Sequence, residues 1–411
     1  MRRVLILGAG TAGTMLANRL ADQLDEGWTI TIVDRDDDHH YQPGYLFIPF
    51  GTATAKRITK RRSRFLPSRV AFVRSGISRV RPDDNEVDLD DGQILGYDWL
   101  LIATGTVPRP DLTPGMGDGS LWYRKVFDFY TMAGAVALHD GLARFDGGRL
   151  LVHITEMPIK CPVAPLEFAF LADDHFRRRG IRHKVDITFV TPLDGAFTKP
   201  IAARELGNLL EDRSIRLATD FAVERVDNDH SRLVAYDGRE LPFDLLVTVP
   251  LNTGQQYVFD SGIGDESGFV QVDPHTLRST RYDNIFAFGD ATDLPTSKAG
   301  AVAHFAVELF GDNFQAAIAG KPLPNAFDGH ANCFIESGRG EALLLDFNYE
   351  TEPLTGRYPL PVVGPMRLLG ASRINHWGKL LFEQLYWQVL MRGRGLPVPT
   401  LMSMAGKHKE D

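Results

Sequence analysis

The sequence is poor in cysteine. Cys161 and Cys333 are the two in a chain of 411 residues. That is too few for the disulfide framework of a small secreted domain, and too few for a zinc site built on cysteine alone. Long apolar runs are missing as well. None approaches the roughly 18 residues that a membrane-crossing helix needs, so any contact with a bilayer is expected to be peripheral. The N-terminus offers two arginines and a short apolar run, Arg2-Arg3-Val4-Leu5-Ile6-Leu7. A longer apolar region and a small-residue cleavage site would be needed for a signal peptide, and none is expected. Positive charge is not in excess either. Lys and Arg number 45 against 53 Asp and Glu, a formal net charge of −8, which gives no general attraction to nucleic acid. What is there, 44% hydrophobic and 24% charged residues, suits a folded globular protein. The length allows two or three domains at roughly 100–200 residues each.

Residues 3–7 read as a buried strand. They lead straight into Gly8-Ala9-Gly10-Thr11-Ala12-Gly13, and an Ala/Leu-rich helix follows to about residue 24. Each glycine has a physical reason. Gly8 allows a tight turn, Gly10 clears space for a pyrophosphate to approach the backbone, and Gly13 lets helix and strand pack closely. The pyrophosphate then meets the free N–H groups of the helix N-terminus. A second strand, residues 29–33, ends at Asp34 beside Arg35. That acid lies about 20 residues past the glycines, where a ribose hydroxyl is bound. Strand, turn, helix, strand and acid together predict a dinucleotide site.

Two later segments decide which dinucleotide. Residues 97–105 form a buried strand ending in Thr104-Gly105, and residues 284–291 form another ending in Gly289-Asp290. Both resemble signatures of flavoproteins in the pyridine nucleotide–disulfide oxidoreductase superfamily. The resemblance implies FAD, with Asp290 on the ribityl chain. A helix opening near Ser297-Lys298-Ala299-Gly300 would point its positive end, with Lys298 nearby, at the flavin.

That superfamily inserts a second Rossmann-like unit, usually for NAD(P)H. Its strand is expected at residues 148–154, its helix from about residue 166 and its second strand at 185–190. The glycine turn between them is replaced by Thr155-Glu156-Met157-Pro158-Ile159-Lys160-Cys161-Pro162-Val163-Ala164-Pro165. Bulky side chains and prolines stand where backbone would have to approach phosphate, so NAD(P) is not expected to bind. A cysteine at a helix N-terminus is instead expected to have a lowered pKa and favour thiolate.

Over nearly its whole length the chain resembles the sulfide:quinone oxidoreductases. The matching pieces are Tyr41-Gln42-Pro43-Gly44-Tyr45 with the following residues 47–51, Cys161 through Glu167, Phe288-Gly289-Asp290, Lys298-Ala299-Gly300 and Cys333-Phe334. The resemblance implies that Cys161 and Cys333 are a redox pair holding sulfur between them, that sulfide attacks this bridge, and that one cysteine sulfur, Cys333 by its match, attacks flavin C4a. A quinone on the other flavin face then takes the electrons, with Pro43, Gly300 and Phe334 on its side. Glu167 matches a glutamate near the sulfide site, where it would move a proton; a first-turn helix acid favoured by the dipole is the plainer alternative. There are departures. A third cysteine upstream of Cys161 is absent, so FAD is expected to be non-covalent. A histidine after the second strand is absent too, and residues 193–199 read Leu-Asp-Gly-Ala-Phe-Thr-Lys.

Past about residue 322 the alternation of strand and helix ends. Residues 341–346 and 356–359 look like a hairpin. Residues 376–394, with two tryptophans, a tyrosine, many leucines and flanking basic groups, suit a helix lying flat at a bilayer interface. The basic run at residues 56–64 would attract anionic lipid or form a solvated face. The expected fold is α/β: two tandem Rossmann-like, three-layer ββα dinucleotide domains plus a C-terminal α+β membrane-associating region. The FAD domain is placed at 1–112 and 244–322, the second domain at 113–243 and the C-terminal region at 323–411. The expected protein is peripheral to the membrane, on the cytoplasmic face, and open to homo-oligomer formation. Its partners are sulfide, a membrane quinone and the membrane surface. The alternatives are an NAD(P)H-dependent quinone or disulfide oxidoreductase, a flavocytochrome-type sulfide dehydrogenase, and a non-enzymatic flavin-binding redox sensor.

Overall fold

Short runs of valine, isoleucine and leucine make strands that are covered on both faces, and two sets of them organise this chain. The structure, a computed structural model, describes residues 1–360 and 364–408. Residues 361–363 and 409–411 of the expected C-terminal region lie outside it. The helices are α1 (Thr11–Gln23), α2 (Met132–Arg144), α3 (Ala164–Arg178), α4 (Pro200–Asp212), α5 (Gln256–Asp260), α6 (Gly300–Ile318) and α7 (Arg373–Gln388).

The first sheet has five parallel strands in the order Ile285–Ala287, Trp99–Ile102, Arg2–Leu7, Trp28–Asp34 and Val70–Arg74. Val4 to Leu7 and Leu100 to Ile102 are buried at its centre. From Arg2–Leu7 the next strand goes to one side, and Trp99–Ile102 lies on the other. Ligands bind at such a switch point, outside the carboxyl ends of the strands. The second sheet is also parallel, in the order Val126–Phe127, Leu245–Val249, Gly148–Ile154, Val185–Val190 and Arg216–Ala218. Its switch point lies beside the Thr155–Cys161 turn, and the Thr155 N–H donates to the Val249 carbonyl at 3.1 Å.

This topology moves one expected boundary. A break at residue 244 assigns Leu245–Val249 to the FAD domain, but that strand pairs with Gly148–Ile154 inside the second sheet. A fully apolar strand carries no mark of which sheet it enters. The chain crosses back just afterwards, where Leu251–Thr253 pairs antiparallel with Val107–Arg109.

The expected hairpin of residues 341–346 with 356–359 does not form. Glu341–Phe347 pairs with Ala331–Gly338 instead, and Met366–Leu368 separates it from Thr355–Tyr358. The reason is the turn. Arg339 and Gly340 have φ values of 59° and 71°, and positive φ at both central residues is what a two-residue hairpin turn requires. Lys407–His408 closes the far edge of this sheet on Thr355–Tyr358.

Helix α7 starts earlier than expected. Ser372 caps it, its hydroxyl accepting from the Asn375 N–H at 3.1 Å. One end of the helix is sunk in the protein, with Tyr386 and Trp387 buried, whereas Ile374, Trp377, Leu380 and Leu381 are exposed, Trp377 at 67%. Among the described residues no helix is long and apolar enough to cross a membrane. The basic run is largely consumed by partners distant in sequence. Arg57 pairs with Glu383 at 2.7 Å, Arg61 with Asp37 at 3.1 Å, and Arg62 with Asp34 at 3.0 Å and Asp36 at 3.3 Å.

Candidate active site

At the first switch point the glycines do what their spacing predicts. Gly8 has φ +93°, and a Cβ there would lie 2.6 Å from the Ala103 carbonyl oxygen. A Cβ on Gly13 would lie 1.8 Å from the Gly8 carbonyl oxygen, so helix and strand touch through bare backbone. A Cβ on Gly10 would meet nothing within 4 Å, which leaves an open cradle at the start of α1. Asp34 is held at this turn. Its Oδ2 accepts the Ala9 N–H at 2.7 Å and its Oδ1 the Arg35 N–H at 2.8 Å. Burial raises its pKa, with Arg62 pulling the other way.

The later segments come to the same end of the sheet. Thr104 Oγ1 lies 2.9 Å from the Tyr257 hydroxyl. Gly105 and Gly289 have φ values of 66° and 62°. Burial raises the pKa of Asp290 against the pull of Lys298 and Lys160. Lys298 donates to the Thr292 carbonyl at 2.6 Å and the Asp290 carbonyl at 3.2 Å, and its ammonium stands 3.7 Å over the Phe269 ring. Burial pulls its pKa down to about 8. Ala299 caps α6 and Gly300 is its first residue. The open cradle at Gly10 fits a dinucleotide, as does the clear space at Gly105 and Gly300, where a Cβ would again meet nothing within 4 Å.

The second switch point carries the first cysteine. Cys161 has φ +49°, a left-handed conformation that costs a non-glycine residue about 1 kcal/mol or more. Three hydrogen bonds hold it there. Its N–H donates to the Lys298 carbonyl at 2.6 Å, and its own carbonyl accepts from the Ala164 N–H at 2.9 Å and the Tyr130 hydroxyl at 3.0 Å. The first of these bonds ties the cysteine turn to the segment that opens α6. Lys160 reaches Gln42 Oε1 at 3.0 Å, beside Pro43.

Helix α3 begins just after this turn and packs on the strand Ala331–Gly338, which carries Cys333. Both cysteines are free thiols. They are close enough for each thiol to feel Glu167 and Lys379, and for Cys161 to feel Cys333. Glu167 is buried and forms an ion pair with Lys379 of α7. Its Oε1 also accepts the Glu336 N–H at 2.7 Å, while Lys379 donates to the Phe334 carbonyl at 3.3 Å. Glu336 is itself buried, and His376 Nδ1 lies 2.9 Å from its Oε1. Burial raises the pKa of Glu167, with Lys379 opposing. Burial acts downward on Lys379, but Glu167 and Glu336 outweigh it and its pKa ends raised.

This setting overturns the expected thiolate at Cys161. Burial first, then Glu167 and Cys333, push its pKa well above the usual thiol value, and Lys379 only partly offsets them. Cys333 is pushed up to about 12, by burial and then Glu167. The helix end is too weak a charge, at about 0.3–1 kcal/mol for typical sites, to win against burial and the field of Glu167.

Cys161, Cys333 and Glu167 are thus brought together. The three residues expected at the quinone sit on separate elements: exposed Pro43 in the 3-10 turn Gln42–Phe47, exposed Gly300 opening α6, and half-buried Phe334 beside Cys333. Phe334 abuts α7, since a Cβ on Gly378 would lie 3.1 Å from its ring. Lys379, Glu336 and His376 were not singled out by the sequence. The available signal was the three-residue spacing of His376 and Lys379, which sets both on one face of a helix. Among the described residues no cluster of three His, Cys, Asp or Glu could hold a metal ion.

Comparison with known proteins agrees with this picture. Residues 2–152 match the family described as pyridine nucleotide-disulphide oxidoreductase. The chain is 27% identical to the mitochondrial sulfide:quinone oxidoreductase of Schizosaccharomyces pombe, over 95% of this chain and 90% of that protein. It is 25% identical to the mitochondrial sulfide:quinone oxidoreductase of Mus musculus, over 95% and 86% respectively. The crystal structure of the sulfide:quinone oxidoreductase from Aquifex aeolicus superposes with a TM-score of 0.80 at 19% identity, covering 96% of this chain and 92% of that one.

Proposed function

We propose that this chain, related along nearly its whole length to sulfide:quinone oxidoreductases, is an FAD-dependent enzyme that oxidises sulfide and passes the electrons to a quinone. The observation that carries the reading is that the helix following Cys161 and the strand bearing Cys333, 172 positions apart, pack together and are tied by the buried Glu167–Lys379 pair. FAD would be held non-covalently, its pyrophosphate by Gly8, Gly10 and Gly13 and its ribose by Asp34 and Arg35. Thr104, Gly105, Gly289 and Asp290 would take the ribityl end, with Lys298 and Ala299 beside the flavin. When bound, FAD supplies a two-electron acceptor that also donates to quinone.

The remaining steps belong to the chain's own residues. In the oxidised enzyme Cys161 and Cys333 hold a sulfur–sulfur bridge. Hydrosulfide adds to Cys161, the bridge breaks, Cys161 carries a persulfide and Cys333 leaves as thiolate. Cys333 is assigned as the leaving thiolate because its sequence match places it at the flavin, and burial and Glu167 raise both thiols. The Lys379 ammonium stabilises that thiolate, and Glu167 takes the persulfide proton. Re-forming the bridge with the added sulfur retained inside it releases two electrons, and that sulfur then leaves to a nucleophilic acceptor such as a second hydrosulfide, which restores the shorter bridge. The balance is one hydrosulfide, one proton and one quinone giving one sulfur atom and one quinol. Pro43, Gly300 and Phe334 would border the quinone. The exposed apolar face of α7 would rest on the membrane, making the protein peripheral, at the cytoplasmic face. The turn of residues 155–165 supports no NAD(P) cradle.

Anaerobic stopped-flow tests this. Sulfide is expected to bleach the flavin band and a soluble quinone to restore it, while NADH leaves it unchanged. Cys161→Ser and Cys333→Ser should each abolish bleaching by sulfide yet retain FAD. Wild-type rates in both variants would sink the cysteine mechanism, and rapid bleaching by NADH would turn the reading to a nicotinamide-dependent reductase.

A further inference from the structure

The end of α7 remote from Trp377 is buried against the glycine turn. The Tyr386 hydroxyl lies 2.7 Å from Thr11 Oγ1 and 2.6 Å from His39 Nε2. Thr11 is the first residue of α1 and follows Gly10 directly. His39 is buried and turns its other nitrogen, Nδ1, to the Ala9 carbonyl at 3.3 Å. Arg62 reaches the same carbonyl at 2.8 Å.

The directions of these bonds follow from chemistry. Burial, with Arg62 adding to it, lowers the His39 pKa to about 3, so the ring is neutral and one nitrogen donates while the other accepts. A carbonyl only accepts, so Nδ1–H donates to Ala9. Nε2 therefore accepts from the Tyr386 hydroxyl, and the Tyr386 oxygen is left to accept from Thr11. The chain runs one way: Thr11 to Tyr386 to His39 to Ala9. It commits the Thr11 hydroxyl hydrogen to the Tyr386 oxygen. The Tyr386 ring is fixed by Tyr41 at 4.9 Å and Trp387 at 5.1 Å between centroids. The chemistry at the cysteines, which meets α7 at Lys379, makes no use of this network.

We propose that Tyr386 is a positioning residue of the cofactor turn, holding Thr11 directly and Ala9 through His39, and that FAD binding is thereby coupled to the docking of α7. The inference rests on the reading that this turn holds the FAD pyrophosphate. The coupling is reciprocal: the factor by which docked α7 tightens FAD is the factor by which FAD tightens docking.

The experiment removes flavin from the purified protein and titrates FAD back into wild type, Tyr386→Phe, Thr11→Val and the double variant, with flavin fluorescence as readout. Amide hydrogen exchange across residues 373–388 is followed with and without FAD. Phenylalanine keeps the ring packing and deletes only the hydroxyl. Each single variant should weaken FAD on the order of tenfold, the scale of one lost buried hydrogen bond, and the double variant no further. FAD should slow exchange in α7 of wild type and fail to do so in Tyr386→Phe. Wild-type affinity in Tyr386→Phe, additive losses in the double variant, or FAD-independent exchange in wild type would each overturn the coupling while leaving FAD in its place. Wild-type protein that takes up no FAD overturns the reading of the turn, and the inference with it.

Discussion

At Cys161 two local signals oppose each other, and burial, followed by a carboxylate six positions on, decides the outcome. The helix start favours thiolate, whereas burial and Glu167 favour thiol. Removing the carboxylate should therefore lower the thiol pKa. Glu167→Gln is expected to begin alkylation by iodoacetamide at lower pH than wild type, measured on the reduced protein across a pH series. Lys379→Met leaves Glu167 buried without its cation, and breaking such a pair costs about 3–5 kcal/mol. Urea unfolding should show a loss of that size, with a smaller loss in the double variant Lys379→Met, Glu167→Gln. Much of this site was legible in the sequence: the glycines, the cysteine in place of a phosphate turn, and Glu167 at a helix start. Lys379 and Glu336 were not, because a single charged residue in a helix or strand announces no partner until the fold supplies one.

Among the elements, the parallel strands and their helices were readable because a buried strand and an amphipathic helix differ in period. Pairing was less so. The strand Glu341–Phe347 chose its neighbour through the turn at Arg339-Gly340, whereas apolar residues alone left two partners possible. The partners of the basic run were unreadable for the same reason, since Arg57 and Glu383 are 326 positions apart. The far edge of the C-terminal sheet depends on one buried carboxylate. Asp346 accepts from Asn332 at 3.1 Å and pairs with His330 at 2.7 Å and Lys407 at 2.5 Å. Burial acts to raise its pKa, but His330 and Lys407 prevail and lower it. A carboxylate with a lowered folded pKa contributes stability fully above its unfolded pKa, about 3.9, and loses it as pH falls through the folded value. Acidification below about pH 4 should therefore free the terminal segment first. Hydrogen exchange should show residues 399–408 losing protection in acid, and Asp346→Asn should show that loss already at neutral pH.

For the molecule as a whole, α7 faces three ways. Lys379 meets the cysteines, Tyr386 meets the glycine turn, and Trp377 and Leu381, exposed at 67% and 57%, meet solvent. Burying two such side chains in a bilayer interface is worth about 1.5–3 kcal/mol each. The double variant Trp377→Glu, Leu381→Glu should bind phospholipid vesicles at least about tenfold more weakly while keeping its flavin, as sedimentation with vesicles would report. The first sheet is assembled from segments that lie far apart, since Ile285–Ala287 completes it beside Trp99–Ile102. A ribosome emits the N-terminal strands long before that partner exists. Until then Leu100, Leu101 and Ile102 line an open apolar edge, of the kind that invites pairing with other chains. The cofactor cleft is therefore finished only after Ile285–Ala287 and the start of α6 have been made, long after its glycine turn.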